Sequence, residues 1–587
     1  MFRPWQTVLV PIGLALAAAI AFLSGLGWGL PSKAADPFLF GRESPWSGRQ
    51  VLDLAGDRPD DPARGADVDV DPLGPRDEPV CVNETDAQRA AIVRRYHLYT
   101  FQPDEMITMM ALASMRPGDG RLDPKLYQYG GLWIYPVGAF IKLASMAGHL
   151  TLASDLEWYL DHPAEFGRFY VVARLYTVAW AFVGVWAVFA IARRLTGGCT
   201  ASAAVAALCM IVMPIVVNMA HEAKPHLPAA VLMLLAILAA MRYVDTGRAR
   251  WWAVTAVICG AAFGMVLSAL PIFVLLPVML IVRRVSWEVV FTKTVFGGLI
   301  GVFIYLLTNP YIPVNLLTNR EVLRSNFGNS LAMYEVSRLG EGFANAAWLV
   351  AEGTSPILAV VGAGGALWLG IRSLIRRKQM DGTAGGAASR PLGWLLAAPV
   401  LVILLQFVAL AAGKPGEYGR FAVLPDIALG IAAIVAVRSR IRSAAHGVVP
   451  MLLLIIMTGS ASSEYLFGFT RDATHRNSRM QTAWQLQAYL DSGARTLGIV
   501  AEPAPYCLPP VDLFRWRILL LPPDADAETI RAIDVLVRPW GTRPFGPAEA
   551  LASHRSDPPT LLELDTRPIG WADKRFDVQV RKRTRPP

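Results

Sequence analysis

Charged residues are scarce in this chain of 587 residues. Asp, Glu, Lys and Arg together make up 17% of the sequence, whereas hydrophobic residues make up 54%. Ordinary soluble domains carry about 25% charged residues. The shortage excludes an ordinary soluble protein, because too few charged groups are present to keep its surface in water.

The sequence contains long apolar runs. Residues 10–29 and 206–220 approach or reach the length of about 20 residues that crosses the hydrocarbon core of a bilayer. Many similar runs follow, so the sequence predicts a polytopic helical membrane protein. Arg3, the first run and Ala34-Ala35 have the form of a signal peptide, but this run exceeds the usual apolar core of about 7–15 residues, which favours a retained first helix.

The positive charge is placed in a way that argues against nucleic-acid binding. The formal net charge is +9, but the basic residues form short clusters at the ends of apolar runs, as the positive-inside rule predicts for cytoplasmic loops. The clusters are Arg193-Arg194; Arg242 with Arg248 and Arg250; Arg283-Arg284; Arg372 with Arg376, Arg377 and Lys378; and Arg438 with Arg440 and Arg442.

Residues 131–150 decide the topology. If this segment spans the membrane and the N-terminus is cytoplasmic, most of the basic clusters lie on the outer side, which violates the positive-inside rule. If the segment lies at the interface instead, every cluster is cytoplasmic. Tyr135, Pro136, Lys142 and His149 suit the headgroup region. We therefore expect an interfacial segment here, about eleven spans and an extracytoplasmic C-terminus.

The predicted fold is an all-α transmembrane unit over residues 1–470, in the plasma (inner) membrane. The spans cover roughly residues 8–29, 169–191, 197–219, 227–243, 251–267, 268–282, 291–308, 346–371, 392–412, 421–437 and 448–467. The pair around Pro271 is short enough for a broken or re-entrant hairpin. No internal repeat is detectable.

Three segments lie outside the membrane in this topology. The first extracytoplasmic loop, residues 30–168, begins with an Asp-, Pro-, Gly- and Arg-rich stretch typical of irregular structure. Residues 309–345 form a second outer loop. Residues 471–587 are polar enough for a small α/β domain, in which TLGIVAE, RILLLP and IDVLVRP have the pattern of strands and DAETIRAID that of a helix.

The five cysteines agree with this layout. Cys199, Cys209 and Cys259 lie in or beside predicted spans, where cysteine serves as a small apolar residue. Cys81 and Cys507 lie on the outer side. A disulfide between these two is one interpretation, and two free thiols are the other, because the sequence does not give their separation.

Two adjacent carboxylates, Asp104 and Glu105, lie in the first loop within TFQPDEMITMM (residues 100–110). Pro103 suits the first turn of a helix, and the helix dipole favours acids there, so we expect their pKa values to stay low. Successive helical residues differ in direction by about 100°, so the two acids cannot both face one substrate atom. One is then catalytic and the other structural, unless both merely cap an interfacial helix.

Further motifs lie on the same predicted side as the acidic pair. They are RLDPKLYQYGGLWIYPVG (121–138), GRFYVVARLYTVAW (167–180), NMAHEAKPHLP (218–228), LTNPYIPVN (307–315) and GKPGEYGRFAVLPDIAL (413–429). In this order, behind an acidic motif in the first outer loop, the sequence resembles the GT-C membrane glycosyltransferases. It is most similar to the bacterial branch related to protein O-mannosyltransferases and to the aminoarabinose transferase.

The resemblance implies inverting transfer of a sugar from a polyprenyl-phosphate carrier to the hydroxyl of a glycan, lipid or protein acceptor at the outer face. Asp104 and Glu105 match the family's acidic motif. Transfer to a hydroxyl needs a general base, which we assign to Asp104, with Glu105 as an orienting group or the alternative base. Either Arg168 or Arg174 matches the family's Arg at the second span. The sequence departs from the family in YQYGGLWIYP, where an element resembling His-Pro-Pro is usual, and in the long acidic insertion before residue 90, so the sugar and acceptor do not follow.

Donors of positive charge or of hydrogen bonds at the outer ends of spans are candidates for binding the donor phosphate. They are Lys224, Arg420, His221, His226, Lys414 and Tyr418, and the candidates for other substrate contacts are Tyr129, Asn309, Tyr311 and Arg174. Each also has a plainer explanation, because such side chains often anchor helices at the interface.

No cofactor is expected. His221, Glu222 and His226 give only a weak signal for a divalent metal, and a lipid-phosphate leaving group does not require one. The alternatives to a glycosyltransferase are a transporter or lipid-sugar flippase and a non-catalytic membrane scaffold. Transporters usually place ionisable residues near the midplane of their spans, whereas here the predicted spans are almost free of charge, which favours an enzyme at the interface.

Overall fold

The computed structural model describes residues 6–55, 78–380, 391–413, 418–440, 444–473, 478–500, 508–522, 529, 532–539 and 576–580. The described chain is mainly helical, as the long apolar runs predict, because a helix satisfies its own backbone hydrogen bonds where lipid offers no partner. The first helices are α1 (Gln6–Leu23), α2 (Asp36–Leu39), α3 (Gly48–Ala55), α4 (Asp86–Leu98), α5 (Pro103–Ala113), α6 (Gly131–Met146) and α7 (Leu156–Asp161).

Long apolar helices dominate the rest of the chain. They and their connecting helices are α8 (Pro163–Leu195), α9 (Thr200–Ile211), α10 (Pro214–Ala220), α11 (His226–Thr246), α12 (Ala249–Met265), α13 (Leu275–Arg283), α14 (Trp287–Thr308), α15 (Tyr311–Thr318), α16 (Arg320–Leu331), α17 (Leu339–Thr354), α18 (Pro356–Met380), α19 (Trp394–Gly413), α20 (Val423–Arg440), α21 (Ala444–Ala473) and α22 (Ser478–Asp491). Short 3₁₀ helices, Leu267–Val274 and Tyr418–Ala422, precede α13 and α20.

The prediction of a polytopic helical membrane protein is confirmed, and each predicted span coincides with a helical segment. Among the described residues, six helices are long and apolar enough to cross a membrane, and two further candidates are bent helix pairs. The predicted spans at 8–29, 251–267 and 268–282 coincide with shorter apolar helical segments. The segment predicted at the interface forms α6, which is also a short apolar helix.

The predicted span at 346–371 is wrong as a single helix. The chain bends by 110° between α17 and α18, because Ser355 adopts a left-handed backbone conformation with a φ of 92° and Pro356 begins the next helix. Proline cannot continue the hydrogen-bond ladder of the preceding helix. The predicted span at 197–219 is likewise bent, by 59°, where Pro214 begins α10.

The ends of the long helices differ in charge. Arg193 and Arg194 end α8, Arg283 ends α13, and Arg438 and Arg440 lie in the last turn of α20. The opposite ends of α11 and α20 carry the segments with the candidate site residues. Helices α8, α13 and α20 therefore end in arginine, and α11 and α20 begin beside the candidate site residues.

A five-stranded mixed sheet contains segments from both ends of the chain. Its strands are β1 (Val80–Cys81), β2 (Thr496–Val500), β3 (Arg517–Leu521), β4 (Val535–Pro539) and β5 (Phe576–Val580), in the order β1-β3-β2-β4-β5. Strands β3, β2 and β4 are parallel neighbours, and β1 and β5 pair antiparallel at the two edges. The three predicted strands are present, whereas the predicted helix DAETIRAID lies largely outside the described residues.

The first loop supplies an edge strand that the sequence did not reveal. Val80 and Cys81 pair with Leu520 and Leu519 of β3. The buried Asn83 side chain extends this connection: its amide donates to the carbonyls of Leu513 and Trp516 and its oxygen accepts from the Ile518 N–H. The described strands of the C-terminal segment therefore form one sheet with a strand of the first loop. Cys81 has a free thiol, and its predicted disulfide partner, Cys507, lies outside the described residues.

One carboxylate lies inside the helical bundle, contrary to the expectation of spans almost free of charge. Asp426 in α20 is fully buried, and neither of its side-chain oxygens has a hydrogen-bond partner among the described residues. It faces Gly353, close to the bend between α17 and α18, where a Cβ would lie 2.5 Å from its Oδ2. Buried carboxyl groups without partners are costly and often functional.

Candidate active site

Helix α5 turns the two acids in different directions, as the helical geometry predicts. The Gln102 side chain caps the helix by accepting from the Asp104 N–H, and Pro103 occupies the first turn. The side chain of Asp104 is 24% exposed, whereas Glu105 is fully buried. The two neighbouring carboxylates therefore belong to different environments.

Glu105 forms a saturated ion pair with Arg174. The carboxylate accepts from the Arg174 Nε at 2.8 Å and from its Nη2 at 2.7 Å. Its remaining positions are used by the Thr100 hydroxyl at 2.6 Å and the Ala223 N–H at 2.6 Å. A carboxylate with both oxygens doubly engaged has no free position for a substrate proton, so this geometry favours a structural role for Glu105.

Arg174 is the arginine that reaches the acidic motif. Its Nη1 also donates to the carbonyls of Leu26 and Trp28, and its guanidinium lies 5.0 Å from the centre of the Trp28 ring. The other candidate, Arg168, has a half-exposed side chain and contacts Glu165 on its own helix. Arg174 thus fastens α5 to α8 and to the segment after α1.

Asp104 is bound by two cations at one of its oxygens. Lys224 Nζ lies 2.9 Å from Asp104 Oδ2, and Arg420 Nη1 lies 2.8 Å from the same atom. Burial acts to raise the Asp104 pKa, but the charges of Lys224 and Arg420 outweigh it and hold the pKa below its usual range. The two cations therefore favour the ionised form of Asp104.

The turn between α10 and α11 holds Lys224 in place and adds an acid that we did not predict as a site residue. The turn is fixed by the Trp28 indole, which donates to the His221 carbonyl, and by the Thr177 hydroxyl, which donates to the Glu222 carbonyl. Lys224 is buried between Asp104 and Glu222, with Glu222 Oε2 at 3.4 Å. Burial raises the Glu222 pKa, opposed in part by the Lys224 charge. Its signal in the sequence was an acid beside a lysine in an otherwise apolar segment.

The two histidines of this turn differ in position. The His221 ring stacks on Phe469 at 4.2 Å, and its two nitrogens lie within hydrogen-bond distance of the Val217 and Ser24 carbonyls. These contacts direct His221 away from Asp104. The His226 ring lies edge-on to Phe421, which follows Arg420, and to Tyr129. His226 is therefore a neighbour of the cationic pair, whereas His221 supports the turn.

Tyr129 lies within residues 122–131, and Asn309 and Tyr311 contact the same segment from another part of the chain. Tyr129 is buried and its backbone bridges to Val266. The Asn309 side chain accepts from the Gly131 N–H and donates to the Tyr305 carbonyl, and the Tyr311 hydroxyl accepts from the Leu122 N–H. Asn309 and Tyr311 thus position residues 122–131 through contacts with its backbone.

Two of the predicted phosphate-binding residues are described incompletely. Lys414 lies outside the described residues. Tyr418 begins the 3₁₀ helix that carries Arg420, but its side chain is not described. Across the described residues, no group of three or more His, Cys, Asp and Glu side chains is arranged to hold a metal ion.

An apolar cavity adjoins the cationic pair. It is a small, partly open pocket of about 20 Å³ and lies between α11, α19, α20 and the 3₁₀ segments next to α13 and α20. Its polar lining includes His226, Ser268 and Arg420, and its apolar lining comprises Ala229, Ala230, Met233, Val266, Ala269, Ile403, Phe421, Val423 and Leu424. One side of the site is therefore charged and the adjoining space is apolar.

The comparison with protein families finds a match. Residues 165–313 match the model described as dolichyl-phosphate-mannose-protein mannosyltransferase. This segment contains Arg174, the Glu222–Lys224 turn and Asn309. The match confirms the predicted resemblance to the protein O-mannosyltransferase branch of membrane glycosyltransferases over about a quarter of the chain. No curated protein matches.

Several solved structures show weak similarity. A structure of ArnT from Cupriavidus metallidurans bound to undecaprenyl phosphate is 16% identical, with a TM-score of 0.45 and coverage of 98% of each chain. The oligosaccharyltransferase AglB from Archaeoglobus fulgidus, in complex with an inhibitory peptide and a dolichol-phosphate, is 11% identical, with a TM-score of 0.41 and coverage of 92% of this chain and 70% of that one. The arabinofuranosyltransferase AftD from Mycobacteria is 17% identical, with a TM-score of 0.38 and coverage of 93% and 36%.

Proposed function

We propose that this protein is an inverting glycosyltransferase that moves a sugar from a polyprenyl-phosphate carrier to an acceptor hydroxyl at the outer face of the membrane. The observation that carries the proposal is the meeting of Asp104 with Lys224 and Arg420. A base and two cations are the two kinds of group that such a transfer needs. The family match to a dolichyl-phosphate-mannose-dependent transferase supports the same reaction class.

The acceptor oxygen attacks the anomeric carbon while the bond from that carbon to the phosphate oxygen breaks. The Asp104 carboxylate takes the hydroxyl proton as the new carbon–oxygen bond forms. The polyprenyl phosphate leaves with the electron pair of the broken bond, and Lys224 and Arg420 stabilise the negative charge that develops on it. No metal ion is required in this scheme.

The test of the reaction is mass spectrometry of envelope lipids and glycans from cells with and without the protein. We expect cells without it to accumulate one polyprenyl-phosphate sugar and to lack one glycosylated product. Purified protein in detergent, added to an extract of these cells, then restores the product and releases polyprenyl phosphate. Arg420→Gln lowers the transfer rate by about 10²–10³, the usual effect of removing one donor that stabilises developing charge. Identical lipid and glycan profiles in the two cell types would contradict the proposal.

The outer-face orientation is supported by the basic ends of the helices. Asp119 is exposed in the first loop. Arg250 is exposed in one of the basic clusters. We expect a membrane-impermeant maleimide to label Asp119→Cys in spheroplasts, and Arg250→Cys only after permeabilisation. The unsubstituted chain measures background labelling of the native cysteines. The reverse pattern would put the site on the cytoplasmic side.

A transporter or flippase remains the second candidate because of Asp426, which is buried in a span as intramembrane carboxyl groups of transporters are. The two candidate functions predict different outcomes for purified protein in detergent. A transferase forms a glycosidic bond there, whereas a transporter has no two compartments to connect and leaves the donor lipid unchanged.

A further inference from the structure

Two cations converge on a single oxygen of the proposed base. Lys224 Nζ and Arg420 Nη1 both contact Asp104 Oδ2, at 2.9 and 2.8 Å. The side chains of Lys224 and Arg420 are only 1% and 11% exposed, so little solvent screens these contacts. The same two cations are the ones that the proposed function assigns to the donor phosphate.

A phosphate and a carboxylate use cations in the same way. Both present negatively charged oxygens, and both form short, charge-assisted hydrogen bonds with arginine and lysine. Because Lys224 and Arg420 already meet at one oxygen, a single phosphate oxygen can take that place. We propose that the Asp104 carboxylate and the donor phosphate compete for Lys224 and Arg420, so that binding of the donor loosens the ion pairs that restrain the base. This inference rests on the proposed function.

The competition has a chemical consequence for Asp104. A carboxylate held in two ion pairs is a weak base, because its pKa is kept below the usual range. A donor phosphate that takes over part of the cationic charge raises the Asp104 pKa towards its ordinary value. The base then becomes stronger at the moment when the anomeric carbon is in place.

Glu222 allows Lys224 to change partners without losing its position. Its carboxylate lies 3.4 Å from Lys224 Nζ, and both residues are buried. When Lys224 shifts from Asp104 towards a phosphate, this second carboxylate still compensates its charge. Glu222 is therefore a positioning residue in the exchange, and Asp104 is the partner that is released.

The inference is tested by binding of undecaprenyl phosphate to purified protein in detergent micelles, with undecaprenol as the uncharged control lipid. Asp104→Asn and Asp104→Ser both remove the competing charge, and we expect them to bind undecaprenyl phosphate about tenfold more tightly than the wild type, the effect of one close charge pair. Affinity for undecaprenol stays unchanged. The matched control Asp119→Asn, at an exposed position in the same loop, leaves both affinities unchanged.

A further substitution separates competition from a general effect of charge. In an Arg420→Gln background, the gain from Asp104→Asn shrinks, because one of the contested cations is already gone. Wild-type affinity or weaker binding in folded Asp104→Asn and Asp104→Ser would overturn the inference and leave the proposed donor intact. If the wild type binds undecaprenyl phosphate no better than undecaprenol, the proposed donor itself fails.

The pH profiles of the wild-type enzyme provide a second measurement. The acid limb of kcat/KM for the donor reports the base in the donor-free enzyme, and the acid limb of kcat reports the base in the complex. If donor binding raises the Asp104 pKa, the acid limb of kcat lies at the higher pH. Coincident acid limbs would contradict the exchange.

Discussion

Asp104→Asn is expected to abolish sugar transfer while the protein stays folded. The amide keeps the size of the side chain and can still accept from Lys224 and Arg420, but it cannot take a proton. Loss of a positioned general base lowers the rate by about 10²–10⁴. The rate of product formation from a polyprenyl-phosphate sugar, with purified protein at saturating donor, measures the effect.

The matched control is Asp119→Asn, which removes an exposed carboxylate from the same loop and is expected to retain full activity. Retained activity in Asp104→Asn would overturn the assignment of the base. Glu222 would then be the next carboxylate to test, because it lies against the same lysine. Glu105 is the weaker alternative because all its acceptor positions are engaged.

Arg174→Met is expected to cause the largest loss of stability. The substitution leaves the Glu105 carboxylate buried without its cation and leaves the Leu26 and Trp28 carbonyls without their donor. Removing one partner of a buried ion pair costs about 3–5 kcal/mol. We expect a strongly lowered thermal unfolding midpoint in detergent, or a chain that does not accumulate in the membrane.

Two further variants separate charge burial from a general effect of substitution at this helix. Arg168→Gln changes an exposed arginine of the same helix and is expected to alter the free energy of unfolding by less than about 0.5 kcal/mol. The double variant Arg174→Met with Glu105→Gln removes the unpaired charge and recovers part of the stability lost in Arg174→Met. An unfolding midpoint of wild-type value in Arg174→Met would show that the ion pair does not hold the acidic helix.

The helical class and the position of nearly every long helix were predictable because a membrane span is recognisable from a local run of apolar residues. A run of apolar residues must form a helix in lipid, where unpaired backbone groups are costly. The bend at Ser355 was not predictable in the same way. Residues 346–371 are apolar on both sides of the bend, and the sequence signal of Pro356 does not fix the angle, which depends on the backbone conformation at Ser355.

The acidic pair illustrates the limit for the site. Its place at the start of a helix followed from Pro103, and the divergence of the two acids followed from helical geometry. The local sequence does not show which of the two acids is buried. That depends on contacts with Arg174, about 70 positions along the chain, and with Ala223. Glu222 was missed as a site residue for the same reason, because its place in the site depends on its contact with Lys224.

The sequence by itself determined the membrane class, the helical segments and the set of motifs that includes Asp104, Lys224 and Arg420. The tertiary structure decided which of these side chains meet. Lys224 and Arg420 come from turns nearly 200 residues apart and reach one oxygen of Asp104, and β1 reaches a sheet formed mainly by the other end of the chain. Contacts of this kind are set by how helices pack against one another, and no local pattern of residues encodes them.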